Sequence, residues 1–238
     1  LNLELGDTAG VIGVGLIGQL AVQLLDLAGI RVVALDYDPS RLELARYGRA
    51  ELAWNLDDGD PARAVREITN GLGCDGVLIA AATSDSQPFV TAADIARDRA
   101  RVCLVGHTGT ELPYREFMAK ELSVIVSRSY GPGRYDEDFE GRGMKYPPGF
   151  VRWTESRNLA EAVRRMSRQR DHRLAVEQLI THSFDLDKAE DAYRLVLERA
   201  EPHLGVVLHY PSEDTPLIPR LRTPAHVSPA TSSTSQAC

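Results

Sequence analysis

Short apolar runs alternate with segments whose apolar residues recur at helical spacing through the first half of this chain. Residues 9–14 (AGVIGV) read as a strand. Residues 16–28 (LIGQLAVQLLDLA) read as a helix, with apolar side chains at 16, 17, 20, 21, 24, 25 and 28. Gly29 follows as a helix-ending glycine, and Arg31–Asp36 (RVVALD) is the next strand. Pro39 stands where a second helix starts, continuing over 41–47, with Asp38 and Ser40 suited to cap it. The alternation continues with a strand at 50–54, a helix at 61–70, the turn 71–73, strand 75–82, helix 87–96, and strands 101–106 and 122–127. These strands are apolar throughout, as expected when a sheet is covered on both sides. The pattern predicts an α/β fold: a doubly wound parallel sheet of the Rossmann type, with helices on both faces.

The second half departs from this rhythm. Residues 130–157, rich in Gly, Pro, Tyr and charge, read as a long ordered loop. Residues 159–169 read as a basic helix, 187–199 as a helix with Leu186, Ala189, Ala192, Tyr193 and Val196 on one face, and 204–210 as a closing strand. Residues 1–210 are thus expected to form one domain. The Pro-, Ser- and Thr-rich residues 211–238 are expected to be a disordered tail or linker.

Composition narrows the possible functions. With 43% hydrophobic and 26% charged residues the chain can bury a core, and its net charge of −7 argues against nucleic acid as the main partner. No run of roughly 20 uncharged apolar residues suggests a membrane span, and no secretory signal is recognisable. Cys74, Cys103 and Cys238 are too few and too scattered for a disulfide framework or zinc ribbon, so a reducing cytoplasm is the expected compartment. His172, His182, His203 and His209 lack paired ligand spacing, and no metal site is expected in this chain.

The chemistry is concentrated in Gly13-Val14-Gly15-Leu16-Ile17-Gly18, a G-x-G-x-x-G between a strand and a helix. Gly13 permits the tight turn. Gly15 lets a pyrophosphate approach the backbone, where the free N–H groups near Leu16 and Ile17 face it. Gly18 lets the helix pack close to the strand. Asp36, which ends the second strand 18 residues beyond Gly18, can accept hydrogen bonds from an adenosine ribose. A carboxylate there repels a 2′-phosphate and so favours NAD over NADP. Arg41 could approach the same ribose or cover the adenine, which leans weakly the other way. S-adenosylmethionine-binding domains share a glycine-rich first turn and an acidic second strand, but their loop usually lacks the third glycine at this spacing.

The sequences GDTAGVIGVGLIGQLAVQLLDLAGIRVVALDYDPSRLELAR and LITHSFDLDKAEDAYRLV, in that order, resemble the cofactor domain of the medium-chain, zinc-type alcohol dehydrogenase superfamily. The likeness runs from about Gly6 to Tyr210. Residues 127–157 further resemble a bacterial subgroup in which such a dehydrogenase is fused to a sugar-type oxidoreductase domain.

The resemblance implies that Gly13, Gly15 and Gly18 form the pyrophosphate turn and that Asp36 and Arg41 are the acidic and basic ribose positions. It places Ala81 and Thr83 beside the adenosine and nicotinamide, and Gly106 and His107 along the nicotinamide. His107 also reads as an ordinary solvated loop residue. In that family the zinc ligands and most substrate contacts lie in an N-terminal domain, which would precede Leu1. The chain is therefore expected to be the NAD-binding part of an alcohol or polyol dehydrogenase, inactive by itself. The alternative is a non-catalytic NAD(H)-binding or sensing module. Self-association through the edge strand 122–127 is expected as well.

Overall fold

The computed structural model describes residues 1–167, 173–198 and 200–210. The tail expected at 211–238 lies outside the described residues, as do His172 and Cys238.

Six parallel strands form the main sheet in the order β3-β2-β1-β4-β5-β6. They are β1 (Thr8–Ile12), β2 (Arg31–Asp36), β3 (Leu52–Asn55), β4 (Cys74–Ile79), β5 (Ala96–Leu104) and β6 (Ser123–Val126). The helices between them are α1 (Leu16–Leu27), α2 (Pro39–Tyr47), α3 (Pro61–Ile68), α4 (Gln87–Ile95) and α5 (Tyr114–Ala119). Alternate residues of β1 and β2 feed two separate cores. Val11, Val32 and Ala34 pack with Val22 of α1 and Leu42 and Ala45 of α2. Ile12, Val33 and Leu35 face the other way, onto a cluster that includes Val65 of α3, Phe89 and Ala92 of α4 and Phe117 of α5. Two-sided burial is why these strands read as unbroken apolar runs rather than as an alternation.

Local signals set the helix starts. Asp38 accepts the Ser40 N–H and Asp60 the Ala62 N–H, each followed by a proline in the first helical turn. At the opposite end of the strands Asp75 ties three of them together. It accepts the Thr8 N–H at 2.8 Å and the Arg97 Nε–H at 2.6 Å. Cys74 and Cys103 are buried free thiols, and burial pushes Cys74 up to about 12, far from the range of a nucleophile.

Several elements differ from the sequence expectation. β5 begins at Ala96 rather than 101, because buried Ala96 and Ala100 hold a polar stretch whose intervening arginines point outward. α5 lies in a segment read as neither helix nor strand. The predicted 130–157 loop contains a short helix, α6 (Glu137–Glu140), and the start of α7 (Glu155–Met166), four residues before the expected 159. The predicted closing strand is β8 (Gly205–His209). It pairs in parallel not with the main sheet but with β7 (Ile180–Asp185), a strand absent from the sequence reading. α8 (Ala189–Glu198) connects them and buries Ala192 and Leu195, while Tyr193 and Val196 of the predicted face stay exposed.

α1 turns Gly18 toward the glycine turn and leaves Leu16, Ile17 and Leu24 of its apolar positions exposed. The buried residues are Gly18, Gln19, Val22 and Gln23. Gly18 causes this phasing. A Cβ there would stand 2.1 Å from the Gly13 carbonyl oxygen, so the helix lies against the turn with its glycine inward.

Candidate dinucleotide-binding site

The strand order reverses direction between β1 and β4. In open α/β sheets, ligands bind beyond the carboxyl ends of the strands at such a switch point. The residues singled out in the sequence lie there. Gly13 leaves β1 with φ +85°, a left-handed conformation suited to glycine, and its N–H donates to the Leu35 carbonyl at 2.8 Å. A Cβ on Gly13 would sit 2.7 Å from the Ala81 backbone nitrogen, so the turn passes directly over the end of β4. A Cβ on Gly106 would lie 2.1 Å from the Ala81 carbonyl oxygen. The same oxygen accepts the His107 N–H at 3.1 Å, and the Thr83 N–H donates to the His107 carbonyl at 2.9 Å. Gly13, Ala81, Thr83, Gly106 and His107 therefore form one continuous rim. The His107 side chain is exposed, while the Thr83 hydroxyl is engaged with Asp85 at 2.9 Å.

Gly15 precedes α1 as its N-cap, and no side chain caps the helix. A helix start leaves its first N–H groups without intrahelical acceptors. Here those groups lie beside exposed Leu16 and Ile17, and nothing lies within 4 Å of where a Gly15 Cβ would be. That cradle fits a pyrophosphate, which would meet both the N–H groups and the positive end of the helix dipole.

Asp36 is 93% buried, and its carboxylate does more than wait for a ligand. Oδ2 accepts the Val14 N–H at 2.8 Å; Oδ1 accepts the Tyr37 N–H at 2.8 Å and the Asp38 N–H at 3.0 Å. Arg41 approaches within 3.9 Å of Asp36 and 3.4 Å of Asp38. The acid thus braces the glycine turn from behind while sharing one arginine with its neighbour. The Asp38 carboxyl is held below its usual range, first by the Ser40 hydroxyl and then by the cap N–H and Arg41.

Sequence reasoning overlooked Gln19. Fully buried, it donates its amide to the Val14 carbonyl at 2.9 Å and the Arg41 carbonyl at 2.7 Å, joining the glycine turn to α2. Its position directly after the third glycine, a polar residue inside an apolar helix, was the available signal. Among the described residues, no three Cys, His, Asp or Glu side chains converge as a zinc site would require. No helix described is long and apolar enough to cross a membrane.

A 3-2-1-4-5-6 parallel sheet with a glycine turn at the first strand–helix junction and an acid ending the second strand defines a Rossmann-type dinucleotide-binding fold. Residues 17–141 match the family described as zinc-binding dehydrogenase, and the chain belongs to that family as its nicotinamide-dinucleotide-binding region. It is 27% identical over 220 residues to an NADP-dependent isopropanol dehydrogenase of Entamoeba histolytica, covering 90% of this chain and 54% of that protein. It is 30% identical over 109 residues to an NADP-dependent isopropanol dehydrogenase of Thermoanaerobacter brockii, covering 45% of this chain and 30% of the relative. Galactitol-1-phosphate dehydrogenase from Escherichia coli superposes with a TM-score of 0.60 at 25% identity, over 84% of this chain and 52% of that one. The chain thus spans about half the length of the longer-matched relatives.

Proposed function

We propose that this chain supplies the NAD(H)-binding half of an oxidoreductase acting on an alcohol or polyol. The bound nicotinamide would supply a hydride acceptor or donor at its C4. Gly13, Val14, Gly15, Leu16, Ile17 and Gly18 would hold the pyrophosphate through backbone N–H groups. Asp36, steadied by Val14 and Arg41, would receive the adenosine ribose hydroxyls. Ala81, Thr83, Gly106 and His107 would line the path to the nicotinamide. The observation that carries this reading is the uncapped α1 start with open space at Gly15, beside a buried carboxylate.

The two curated relatives are named as NADP-dependent, yet we assign NAD here. A 2′-phosphate would approach the Asp36 carboxylate, and Arg41 is already shared between Asp36 and Asp38. The likeness of residues 127–157 to dehydrogenases fused to a sugar-type oxidoreductase turns the substrate toward polyols. Within this proposal the chain works in the reducing cytoplasm, where Cys74 and Cys103 stay thiols. The described residues assemble no ligand set for zinc.

Fluorescence titration of the purified chain with NADH and NADPH tests the assignment. NADH should bind at least tenfold tighter than NADPH, a difference of about 1.4 kcal/mol. The chain alone should turn over no member of a polyol panel. Absence of NADH binding by folded protein would remove the cofactor assignment, and robust turnover would remove the half-enzyme reading.

We also propose that two copies associate through β6. All four of its residues are exposed, and it ends the sheet with one side unpaired. Sedimentation velocity should show a dimer that Ile125→Pro returns to monomer. A monomeric parent chain at tens of micromolar would count against the edge.

A further inference from the structure

Past the last strand of the main sheet, the chain builds a stack of alternating rings and cations. The Arg134 guanidinium lies 5.1 Å from the Tyr130 ring centroid and 4.6 Å from that of Tyr135. The Arg128 guanidinium lies 4.4 Å from the same Tyr135 ring. Four side chains thus run Tyr130, Arg134, Tyr135, Arg128. The backbone is folded to bring them together: Tyr130 and Tyr135 both have positive φ (68° and 64°), as do Gly131 and Gly133.

This segment is held by its own small hub. Buried Phe139 stacks on Tyr146 at 5.1 Å, and Lys145 lies 4.2 Å over its ring. The Asn158 side chain donates to the Tyr130 carbonyl at 2.8 Å, and the Glu155 N–H to the Pro132 carbonyl at 2.8 Å, which closes the segment. Three acids of the segment are engaged. Glu140 pairs with Arg134 at 2.7 Å, Asp138 with Arg142 at 2.9 Å, and Asp136 accepts the Tyr146 hydroxyl and two N–H groups of α6.

Arg128 is the exception. It is exposed, and among the described residues no carboxylate or carbonyl engages it. Its place matters. The Ser127 N–H still donates to the Leu104 carbonyl at 2.9 Å, so Arg128 leaves the sheet at the rim from which Gly106 and His107 also depart. A guanidinium oriented by an aromatic face keeps its N–H fork free and pre-organised, the arrangement that recognises phosphate or carboxylate.

We propose that Arg128, oriented by Tyr135, is the receptor for an oxyanion carried by the substrate. The substrate class is then a phosphorylated or carboxylated polyol rather than a neutral alcohol. This rests on the dehydrogenase reading for the identity of the ligand as substrate, but the anion site itself does not depend on cofactor binding.

Calorimetry on the full chain saturated with NADH, using sorbitol, sorbitol 6-phosphate and gluconate, tests it. At least one anionic polyol should bind tenfold or more tighter than sorbitol, and which one does so identifies the anion. Arg128→Ala should erase that discrimination with no change in NADH affinity or melting temperature. Arg128→Lys should restore only part of it, since an ammonium does not present a planar fork. Equal binding of the three polyols, or discrimination that survives Arg128→Ala, overturns the proposal. If NADH does not bind, the same comparison on the cofactor-free chain decides the Arg128 site, while the cofactor reading alone is lost.

Discussion

Gly15→Ala should leave the protein as stable as before and abolish most of its affinity for NADH. Gly15 has φ −67°, which alanine tolerates, and nothing lies within 4 Å of the added methyl. The gain from restricting the unfolded chain, about 0.4–1 kcal/mol, should offset the poorer capping by alanine at this N-cap. The methyl would occupy the space assigned to the pyrophosphate, so NADH should bind more than tenfold weaker. Gly18→Ala should behave differently. Its methyl would stand 2.1 Å from the Gly13 carbonyl oxygen, a backbone atom that cannot rotate away. Pushing α1 off the turn should cost about 2–3 kcal/mol and lower the melting temperature by roughly 4–12 °C, with cofactor affinity lost as well. Thermal melts and NADH titrations of both variants, side by side, separate a ligand-facing glycine from a packing glycine. A Gly15→Ala protein that binds NADH like the parent would end the pyrophosphate assignment.

Asp36→Ala should produce the second large effect, on both stability and cofactor choice. Three backbone donors, those of Val14, Tyr37 and Asp38, lose their acceptor. The Val14 bond is buried, and leaving such a donor unpaired costs about 1–3 kcal/mol. Arg41, now 3.9 Å from Asp36, would keep only its pairing with Asp38 at 3.4 Å, and the carboxylate that repels a 2′-phosphate would be gone. NADH affinity should fall at least tenfold, and the ratio of NADH to NADPH affinity should move toward NADPH. If that ratio is unchanged while the melting temperature drops, Asp36 is a structural brace for the turn and not the ribose acceptor.

The parallel sheet was legible because its central strands, β1, β2 and β4, are buried on both sides and so carry their own apolar runs. The glycine turn and Asp36 were legible because their spacing follows from the geometry of one strand–helix–strand unit. Which apolar residues of α1 would be buried was not: the helix turns Gly18 to the Gly13 carbonyl, a rotation that leaves Leu16, Ile17 and Leu24 exposed. That same rotation brings Gln19 and Gln23 inside, where Gln19 links the turn to α2 and Gln23 accepts the Ala175 N–H at 2.7 Å. β7 was missed because THSFD mixes polar and apolar residues without a buried face of its own, and its five-residue partner lies about twenty positions later. The segment after β6 was read as a loop because its order comes from ring–cation stacking, which has no period along a sequence.

The hub around Phe139 has a consequence for how such a protein could diversify. Its ring contacts and ion pairs run within the segment after β6, apart from the two apolar clusters that support the sheet. Changes to the residues displayed there are insulated from the dinucleotide cradle. Descendant lineages could remodel this appendage while inheriting the dinucleotide-binding sheet intact.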